Sequence, residues 1–294
     1  MLESNGRLDM NDGVQTRLNE LMLHAVSEEF ARPLNLISLN REYLQMHLEQ
    51  NRAEYSHETV QQALQDIETA TEGLHRITDN LVAMCACLCT AVTPQTEWLD
   101  LRSMLQGICA EQADIYRAIG VTLQLDCTDE EQYIVQADYL LAERVILNLT
   151  SNGLRACKKG GVVTFGLCAA EDGVSLTVSD TGCGMPPEQL QNLFQPFVKQ
   201  ENTAPGFENG PGIGLYLCGE YCRMMGWKIS VQPQKNGTCI RMLIPQGGQL
   251  PPDSVVLHSP LQQEMRLQHL RGAALRELRT VPGLQNLGRG PKAE

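Results

Sequence analysis

The sequence lacks the features that define several common classes of protein. No run approaches the roughly 20 apolar residues that a helix needs to cross a bilayer. The polar start MLESNGRLDMNDG has no apolar core of the kind found in signal peptides. The 11 cysteines are odd in number and form no CxxC pair, which argues against a disulfide framework or a zinc site. We therefore expect a cytoplasmic protein that makes no contact with a membrane.

Basic residues are also scarce. The 23 Lys and Arg residues stand against 35 Asp and Glu residues, so the chain has a formal net charge of -12. Nucleic acids are bound by basic surfaces, and we therefore expect no nucleic-acid partner. The sequence contains no GxxxxGK[ST] motif, which excludes a P-loop enzyme.

A regular apolar pattern predicts a long helix in the first third of the chain. Its apolar positions alternate between spacings of three and four: Val60, Ala63, Ile67, Ala70, Leu74, Ile77, Leu81, Met84 and Leu88. Such a sustained heptad seam is typical of a helix in a bundle or coiled coil. A rougher helical pattern precedes it, from about residue 14 to 51, so the two helices would form a hairpin. Because such a hairpin has too little else to cover its apolar stripe, we expect a dimeric four-helix bundle.

After the hairpin, the sequence pattern changes to one that predicts short strands and helices. Strands are predicted at VTLQLDC, YIVQAD, VVTFGLCA and VSLTVSD, and helices at about 101–119 and 139–157. This mixture predicts an α+β sandwich domain. The predicted organisation is a flexible N-terminus at 1–13, a helical hairpin at 14–91 and a sandwich domain at 95–247. A linker and an amphipathic helix would follow at 248–294.

Three separated segments of the sandwich domain carry residues suited to a nucleotide. NLTSN places Asn148 and Asn152 one helical turn apart, with Arg155 on the same face, which suits a hydrated magnesium ion and phosphate oxygens. SDTGCGM ends a strand with Asp180, whose carboxylate can accept from an exocyclic amine. Glycines follow it and let a flat ring approach the backbone. NGPGIGLYL sets further glycines before a helix, where backbone donors favour phosphate. The glycines of these two segments are Gly182, Gly184, Gly210, Gly212 and Gly214.

In this order, the three segments resemble the N, G1 and G2 boxes of the GHKL ATPases, which include gyrases, heat-shock chaperones, histidine kinases and mismatch-repair ATPases. Phe194 and Phe197, in LFQPF, resemble the F box of histidine kinases. With the hairpin, the resemblance covers residues from about 14 to 247 and points to the two-component sensor histidine kinase family. It implies a GHKL-type α/β sandwich, with ATP and Mg2+ as cofactors. It also implies Asp180 on the adenine, Asn152 on the magnesium ion and Arg155 where a lysine is more usual.

The hairpin departs from this family at its reactive position. The family carries a box that reads roughly HExx[TN]P, and Pro33 fixes the register of SEEFARPL against it. Glu29 then matches the acidic residue of the box, whereas Glu28 replaces the phosphoacceptor histidine. Arg32 replaces the Thr or Asn on which the family's phosphatase activity depends. A carboxylate is a weaker nucleophile than imidazole and is repelled by the γ-phosphate. The sequence therefore predicts a degenerate kinase that regulates a partner through its nucleotide-dependent shape.

Two alternative functions compete with this interpretation. His24 lies one turn before Glu28 on about the same face, and as a displaced acceptor it would make the chain an active ATP:protein-histidine kinase. The displacement of about 6 Å, at a rise of ~1.5 Å per residue, is large for a near-attack geometry. A serine kinase of the anti-sigma type fits poorly, because such proteins lack the long hairpin. The expected partners are a second copy of the chain and either a response regulator or another histidine kinase.

Overall fold

A computed structural model describes residues 27, 29–46, 57–89, 92–127, 133–198, 212–232, 234 and 236–245. His24, Glu28, Gly210, the predicted N-terminus at 1–13 and the predicted C-terminal helix lie outside the described residues. The described helices are α1 (29–46), α2 (His57–Leu88), α3 (Leu101–Ile119), α4 (Tyr139–Ala156), α5 (Pro187–Leu190) and α6 (Gly214–Met224). The strands are β1 (Glu97–Asp100), β2 (Thr122–Asp126), β3 (Ile134–Ala137), β4 (Val162–Ala170), β5 (Gly173–Asp180), β6 (Lys228–Gln232) and β7 (Cys239–Pro245).

Helices α1 and α2 occupy the region where the hairpin is predicted. Alternate positions of the seam on α2 are buried: Ala63, Ala70, Ile77 and Met84. Leu88, at the end of the seam, is 45% exposed. Helix α1 continues without a break through Pro33, although proline removes a backbone donor. No helix in the described ranges is long and apolar enough to cross a membrane.

The second part of the described chain is a two-layer sandwich. Its main sheet has the strand order β2-β4-β5-β7-β6, with β2 parallel to β4 and the other neighbours antiparallel. Helices α3, α4 and α6 contact this sheet at strands β2, β5 and β6 respectively. Fully buried side chains from both layers form the core between them: Phe165, Leu176 and Met242 from the sheet, and Leu105, Ile146 and Leu217 from the helices. Strands β1 and β3 form a separate antiparallel pair.

Aspartate caps fix where the helices of the sandwich begin. Asp138 precedes α4, and its carboxylate accepts hydrogen bonds from the Leu141 N–H at 3.1 Å and the Gln95 N–H at 2.8 Å. Asp100 caps α3 in the same way, accepting from the Arg102 N–H at 3.1 Å. An aspartate at this position satisfies donors that a helix leaves unpaired. The cap at Asp138 therefore sets the register of α4, the helix that carries the NLTSN segment.

The C-terminal end of α2 joins the core of the sandwich. Ala83, Met84 and Cys87 belong to the same apolar cluster as the buried residues of α4 and α6. Helix α2 contacts α6 directly. The helix that follows the glycines of NGPGIGLYL is thus in contact with the hairpin region.

Candidate nucleotide-binding site

A pocket opens between α4, the end of β5 and the start of α6. Its empty volume is about 510 Å³, counting the space open to solvent. Its apolar lining comes from Leu149, Val178, Met185, Leu215 and Ile240, and its polar lining includes Asn152, Asp180, Gln189 and Thr238. An apolar cleft with a few convergent polar groups is the usual form of a small-molecule site. The pocket brings together three of the predicted residues: Asn152, Asp180 and Gly184.

Asp180 is the charged group at the floor of this pocket. It is the last residue of β5 and is only 9% exposed. Its Oδ1 atom accepts the Gly182 N–H at 2.8 Å and the Thr238 N–H at 3.3 Å. Burial raises the pKa of the Asp180 carboxyl, and these two backbone donors partly oppose that rise. Since both donors point at Oδ1, the Oδ2 atom remains for a donor on a ligand, such as an exocyclic amine.

The role of Gly182 differs from the expectation that its missing side chain admits a flat ring. A Cβ atom at Gly182 would lie 2.6 Å from the backbone of Ala156, in the last turn of α4. The next residue confirms this close approach, because the Cys183 N–H donates to the Ala156 carbonyl at 3.3 Å. Gly182 therefore lets the loop after β5 pack closely on α4, and of the two glycines in SDTGCGM only Gly184 lines the pocket.

The start of α6 lies beside the N-terminal asparagine of the NLTSN segment. A Cβ atom at Gly214 would lie 3.4 Å from the Asn148 Oδ1 atom. Residue Ile213, at the N-cap of α6, provides no side-chain hydrogen bond to the first turn. The N–H groups of that turn are the donors that a helix offers to anions. Arg155 lies in the last turn of α4, where it is 9% exposed, and it does not line the pocket.

The two phenylalanines of LFQPF pack against the core of the sandwich and do not line the pocket. Phe194 packs beside α6, where a Cβ atom at Gly219 would lie 3.3 Å from the Phe194 Cβ atom. Phe197 is partly buried against the core of the sandwich. The residues from 199 to 211, which include Gly210, lie outside the described chain.

The reactive position of the hairpin is only partly described. Glu29 is 8% exposed on α1, and Arg32 is exposed to solvent. Glu28 and His24 lie outside the described residues. The predicted roles of these residues therefore depend on the sequence register at Pro33.

Two residues of the site, Gly237 and Thr238, were not predicted from the sequence. Besides the bond to Oδ1, the Thr238 carbonyl accepts the Asp180 N–H at 2.9 Å, so residue 238 holds both the backbone and the carboxylate of Asp180. Gly237 has a φ of +79°, and a Cβ atom there would collide with the Asp180 carbonyl oxygen. The only local signal is the Asn236-Gly237 pair, a dipeptide typical of tight turns, before the last strand.

The pocket lies in a part of the chain that matches a family of known proteins. Residues 137–248 match the family of histidine kinase-, DNA gyrase B-, and HSP90-like ATPases. The sensor protein EvgS of Escherichia coli strain K12 is 28% identical over 156 residues, which are 51% of this chain and 13% of EvgS. This chain thus corresponds to a small part of that relative's length.

Solved structures share the fold over a larger part of the chain. The histidine kinase AdeS of Acinetobacter baumannii aligns with a TM-score of 0.56 at 16% identity, covering 74% of this chain and 98% of AdeS. Histidine kinase ThkA in complex with the response regulator protein TrrA aligns with a TM-score of 0.59 at 17% identity, covering 82% of this chain and 66% of the ThkA chain.

Residues 137–248 therefore form an ATP-binding domain of this ATPase family, and the resemblance of the chain to the two-component sensor histidine kinase family is confirmed. The predicted fold class, in which a helical hairpin precedes a GHKL-type α/β sandwich, is confirmed as well. The family match begins inside the predicted domain at 95–247, so the boundaries of that domain and of the hairpin at 14–91 stay predictions.

Proposed function

We propose that this chain binds ATP together with Mg2+, with the adenine at Asp180. We further propose that it acts as a dimeric, nucleotide-dependent regulator in two-component signalling and transfers no phosphate through position 28. The observation that carries the nucleotide part is the Asp180 carboxylate itself. It is buried at the floor of an apolar pocket, with Oδ1 held by two backbone donors. That arrangement is suited to an adenine ring, whose flat face is apolar and whose amine donates a hydrogen bond.

The amide side chains of α4 are suited to a magnesium ion. Asn152 lines the pocket and Asn148 lies beside the start of α6. Mg2+ prefers oxygen ligands and usually keeps several waters while it takes one or two protein groups and phosphate oxygens. Asn152 would hold the ion and Asn148 would orient its waters. When bound, the ion would neutralise part of the charge on the phosphates.

The absence of a histidine at position 28 supports regulation over phosphotransfer. Glu28 offers a carboxylate where the family uses an imidazole, and a carboxylate attacks phosphorus poorly. Arg32, one helical turn further, is a long exposed cation and not the short Thr or Asn of the family. Both reactive positions of the hairpin thus depart from the family pattern, while Asn152, Asp180 and Gly184 line one pocket.

The exposed apolar residues of the hairpin support a homodimer. The large hydrophobic side chains that are most exposed in the described chain are Leu34, Leu36, Leu39, Met46, Leu64, Val82, Leu88 and Leu140. All but Leu140 lie on α1 or α2. A contiguous helical region rich in exposed apolar groups is stabilised when it packs against another surface. A second hairpin supplies such a surface and completes a four-helix bundle.

The partner we propose is a response regulator or another histidine kinase. ThkA, which shares the fold, has been solved in complex with a response regulator protein. The alignment with ThkA covers 82% of this chain, whereas the match to the ATPase family covers residues 137–248 alone. A regulator that has lost its own phosphoacceptor can still present the surfaces of its hairpin and of its ATPase domain to such a partner.

A labelling experiment tests the loss of the acceptor. Purified chain incubated with radiolabelled ATP and Mg2+ should acquire no acid-labile, base-stable label, whereas Glu28→His should acquire some, because the nucleotide pocket, Glu29 and Pro33 remain. Asn152→Ala in the Glu28→His background should remove that label if the transfer uses the proposed site.

Two outcomes would contradict the proposal. Strong labelling of the wild type that His24→Ala removes would establish an active histidine kinase with a displaced acceptor. A Glu28→His variant that binds ATP but stays unlabelled would show that the loss of transfer extends beyond one residue, and the account given for position 28 would be wrong.

A further inference from the structure

Phe197 has a backbone conformation that is unusual for its residue type. Its φ is +65°, and it is the one residue other than glycine with positive φ in the described chain. In this left-handed region the Cβ atom crowds the carbonyl oxygen, so bulky residues avoid it. Such conformations persist only where the surrounding structure imposes them, and they concentrate at functional sites.

The surroundings of Phe197 impose this conformation through a contact with Gly212. The Phe197 N–H donates to the Gly212 carbonyl at 3.1 Å. Gly212 itself has a φ of +72°, and a Cβ atom there would lie 2.6 Å from the Val198 carbonyl oxygen. The two segments thus approach each other backbone to backbone, with no space for a side chain on the Gly212 side.

This contact fixes the peptide group that leads into α6. In a trans peptide the carbonyl and the N–H point in opposite directions. Because the Gly212 carbonyl points at Phe197, the Ile213 N–H is directed away from it. Ile213 is fully buried and is the N-cap of α6, and Gly214 beside it faces Asn148.

We infer that Phe197 is a positioning residue for the phosphates of the nucleotide: its left-handed backbone holds the Gly212–Ile213 peptide, and hence the first donors of α6, in the orientation that the phosphates require. The inference rests on the proposed nucleotide function. It assigns the effect to the backbone of Phe197 and not to its aromatic ring. The Asp180 carboxylate, which we propose contacts the adenine, is held by the N–H groups of Gly182 and Thr238 and not by this contact.

Backbone variants at Phe197 test the inference by calorimetric titration with ATP and with adenosine, which lacks phosphates. Phe197→Pro forces φ to a negative value and removes the N–H, so it should weaken ATP binding, and adenosine binding should change by less than about twofold. Phe197→Gly removes the ring but permits the left-handed conformation. The loss of ATP affinity should be at least about tenfold greater for the Pro variant than for the Gly variant. This is the effect expected when a donor at the start of α6 loses its hydrogen bond to a charged phosphate.

A second pair of variants keeps the test decisive if Phe197→Pro does not fold. Gly212→Ala places a methyl group against Val198 and should weaken ATP binding by about tenfold. Gly226→Ala is the matched control, because Gly226 also has a φ of +72°, follows the other end of α6, and has no atom within 4 Å of the added Cβ. It imposes the same backbone strain and should leave ATP affinity within about twofold.

The possible outcomes separate this inference from the proposed function. If the wild type does not bind ATP, both are wrong. If the wild type binds ATP and Asp180→Asn lowers the ATP affinity, the proposed nucleotide site is supported. In that case, equal losses for Phe197→Gly and Phe197→Pro, or equal losses for ATP and adenosine, would overturn the inference alone. A Gly212→Ala variant with the same ATP affinity as the Gly226→Ala variant would also overturn the inference.

Discussion

Gly237→Ala should separate Asp180 from the turn that holds it. Gly237 has a φ of +79°, and the added Cβ atom would collide with the Asp180 carbonyl oxygen. The collision involves backbone on both sides, so no side-chain rotation can relieve it. The turn must move away from β5, and the hydrogen bond from the Thr238 N–H to Asp180 Oδ1 lengthens or breaks.

The magnitude follows from two contributions. A left-handed backbone costs an alanine about 1–2 kcal/mol, and a hydrogen bond to a charged acceptor contributes about 1.5–3 kcal/mol. We therefore expect the free energy of unfolding to fall by about 3 kcal/mol, which lowers the melting temperature by about 6–12 °C for a domain of this size. ATP affinity should fall by about tenfold or more, because the carboxylate that we propose accepts from adenine loses one of the two N–H groups that hold it.

Calorimetric titration with ATP and a thermal melt measure both effects. Gly160→Ala is the matched control, since Gly160 has a φ of +87° and its added Cβ would have no atom within 4 Å. The control should lose about 1–2 kcal/mol of stability and keep its ATP affinity. A folded Gly237→Ala variant with the ATP affinity of the wild type would refute the reasoning. Equal losses of affinity in the two variants would refute it as well.

Two further predictions concern the charge of Asp180 and the surface of the hairpin. Because burial raises the pKa of the Asp180 carboxyl, its ionisation destabilises the fold, and this cost grows as the pH rises through the folded pKa. Asp180→Asn should therefore stabilise the ligand-free protein at pH 7 while weakening ATP binding. As the pH is lowered, the ATP affinity of the wild type should begin to fall at a pH above the ordinary carboxyl pKa, because a proton on Oδ2 turns that acceptor into a donor. An ATP affinity that does not change over this pH range would contradict the prediction. Leu39→Lys with Val82→Lys, at two positions that are 64% exposed, should convert the proposed dimer into a folded monomer in sedimentation, whereas Leu140→Lys in the ATPase domain should not. A monomeric wild type would overturn the proposal of a dimer.

Local periodicity predicted the elements that are long enough to show it. The alternation of three and four along the seam of α2 persists over many turns, and every second position of the seam is buried. Asp180 was identified because a strand pattern ends there and glycines follow. Strand β1, by contrast, has 4 residues, which is too short to establish a period, and it was not predicted, whereas β3 lies within the predicted strand YIVQAD. Their pairing depends on the approach of Leu99 to Val135, a long-range contact.

The residues that hold Asp180 could not be predicted from local sequence. Thr238 reaches Asp180 because β5 and β7 pair antiparallel, with Ser179 opposite Cys239. That register is set by the packing of the whole sheet, and no pattern near either residue encodes it. The same applies to Gly182, whose role is to admit the end of α4 at Ala156. Sequence motifs therefore identified the group that would contact a ligand and missed the groups that position it.

Helix α6 links the nucleotide pocket to the hairpin through two packed faces. Leu215, in its first turn, lines the pocket. On the face toward α4, the Cys218 Sγ atom lies 3.8 Å from the Val145 carbonyl, and the Arg144 guanidinium donates to the Tyr221 hydroxyl at 3.4 Å.

The other face of α6 meets the end of α2 near Cys87. The pKa of the Cys87 thiol is raised by burial and then by the negative charge of Glu220, which is itself paired with Arg223 at 2.7 Å. A packed interior has few voids, so a helix held on two faces cannot shift at one end without moving its neighbours. A change that a nucleotide produces at the start of α6 must therefore be accommodated at α4, at α2 or at β6 of the main sheet. Of these, α4 is held at its own start by the Asp138 cap and along its length by the sheet, whereas α2 is held to the sandwich through its last turns. The α2 contact is consequently a route by which we expect the ATPase domain to alter the hairpin.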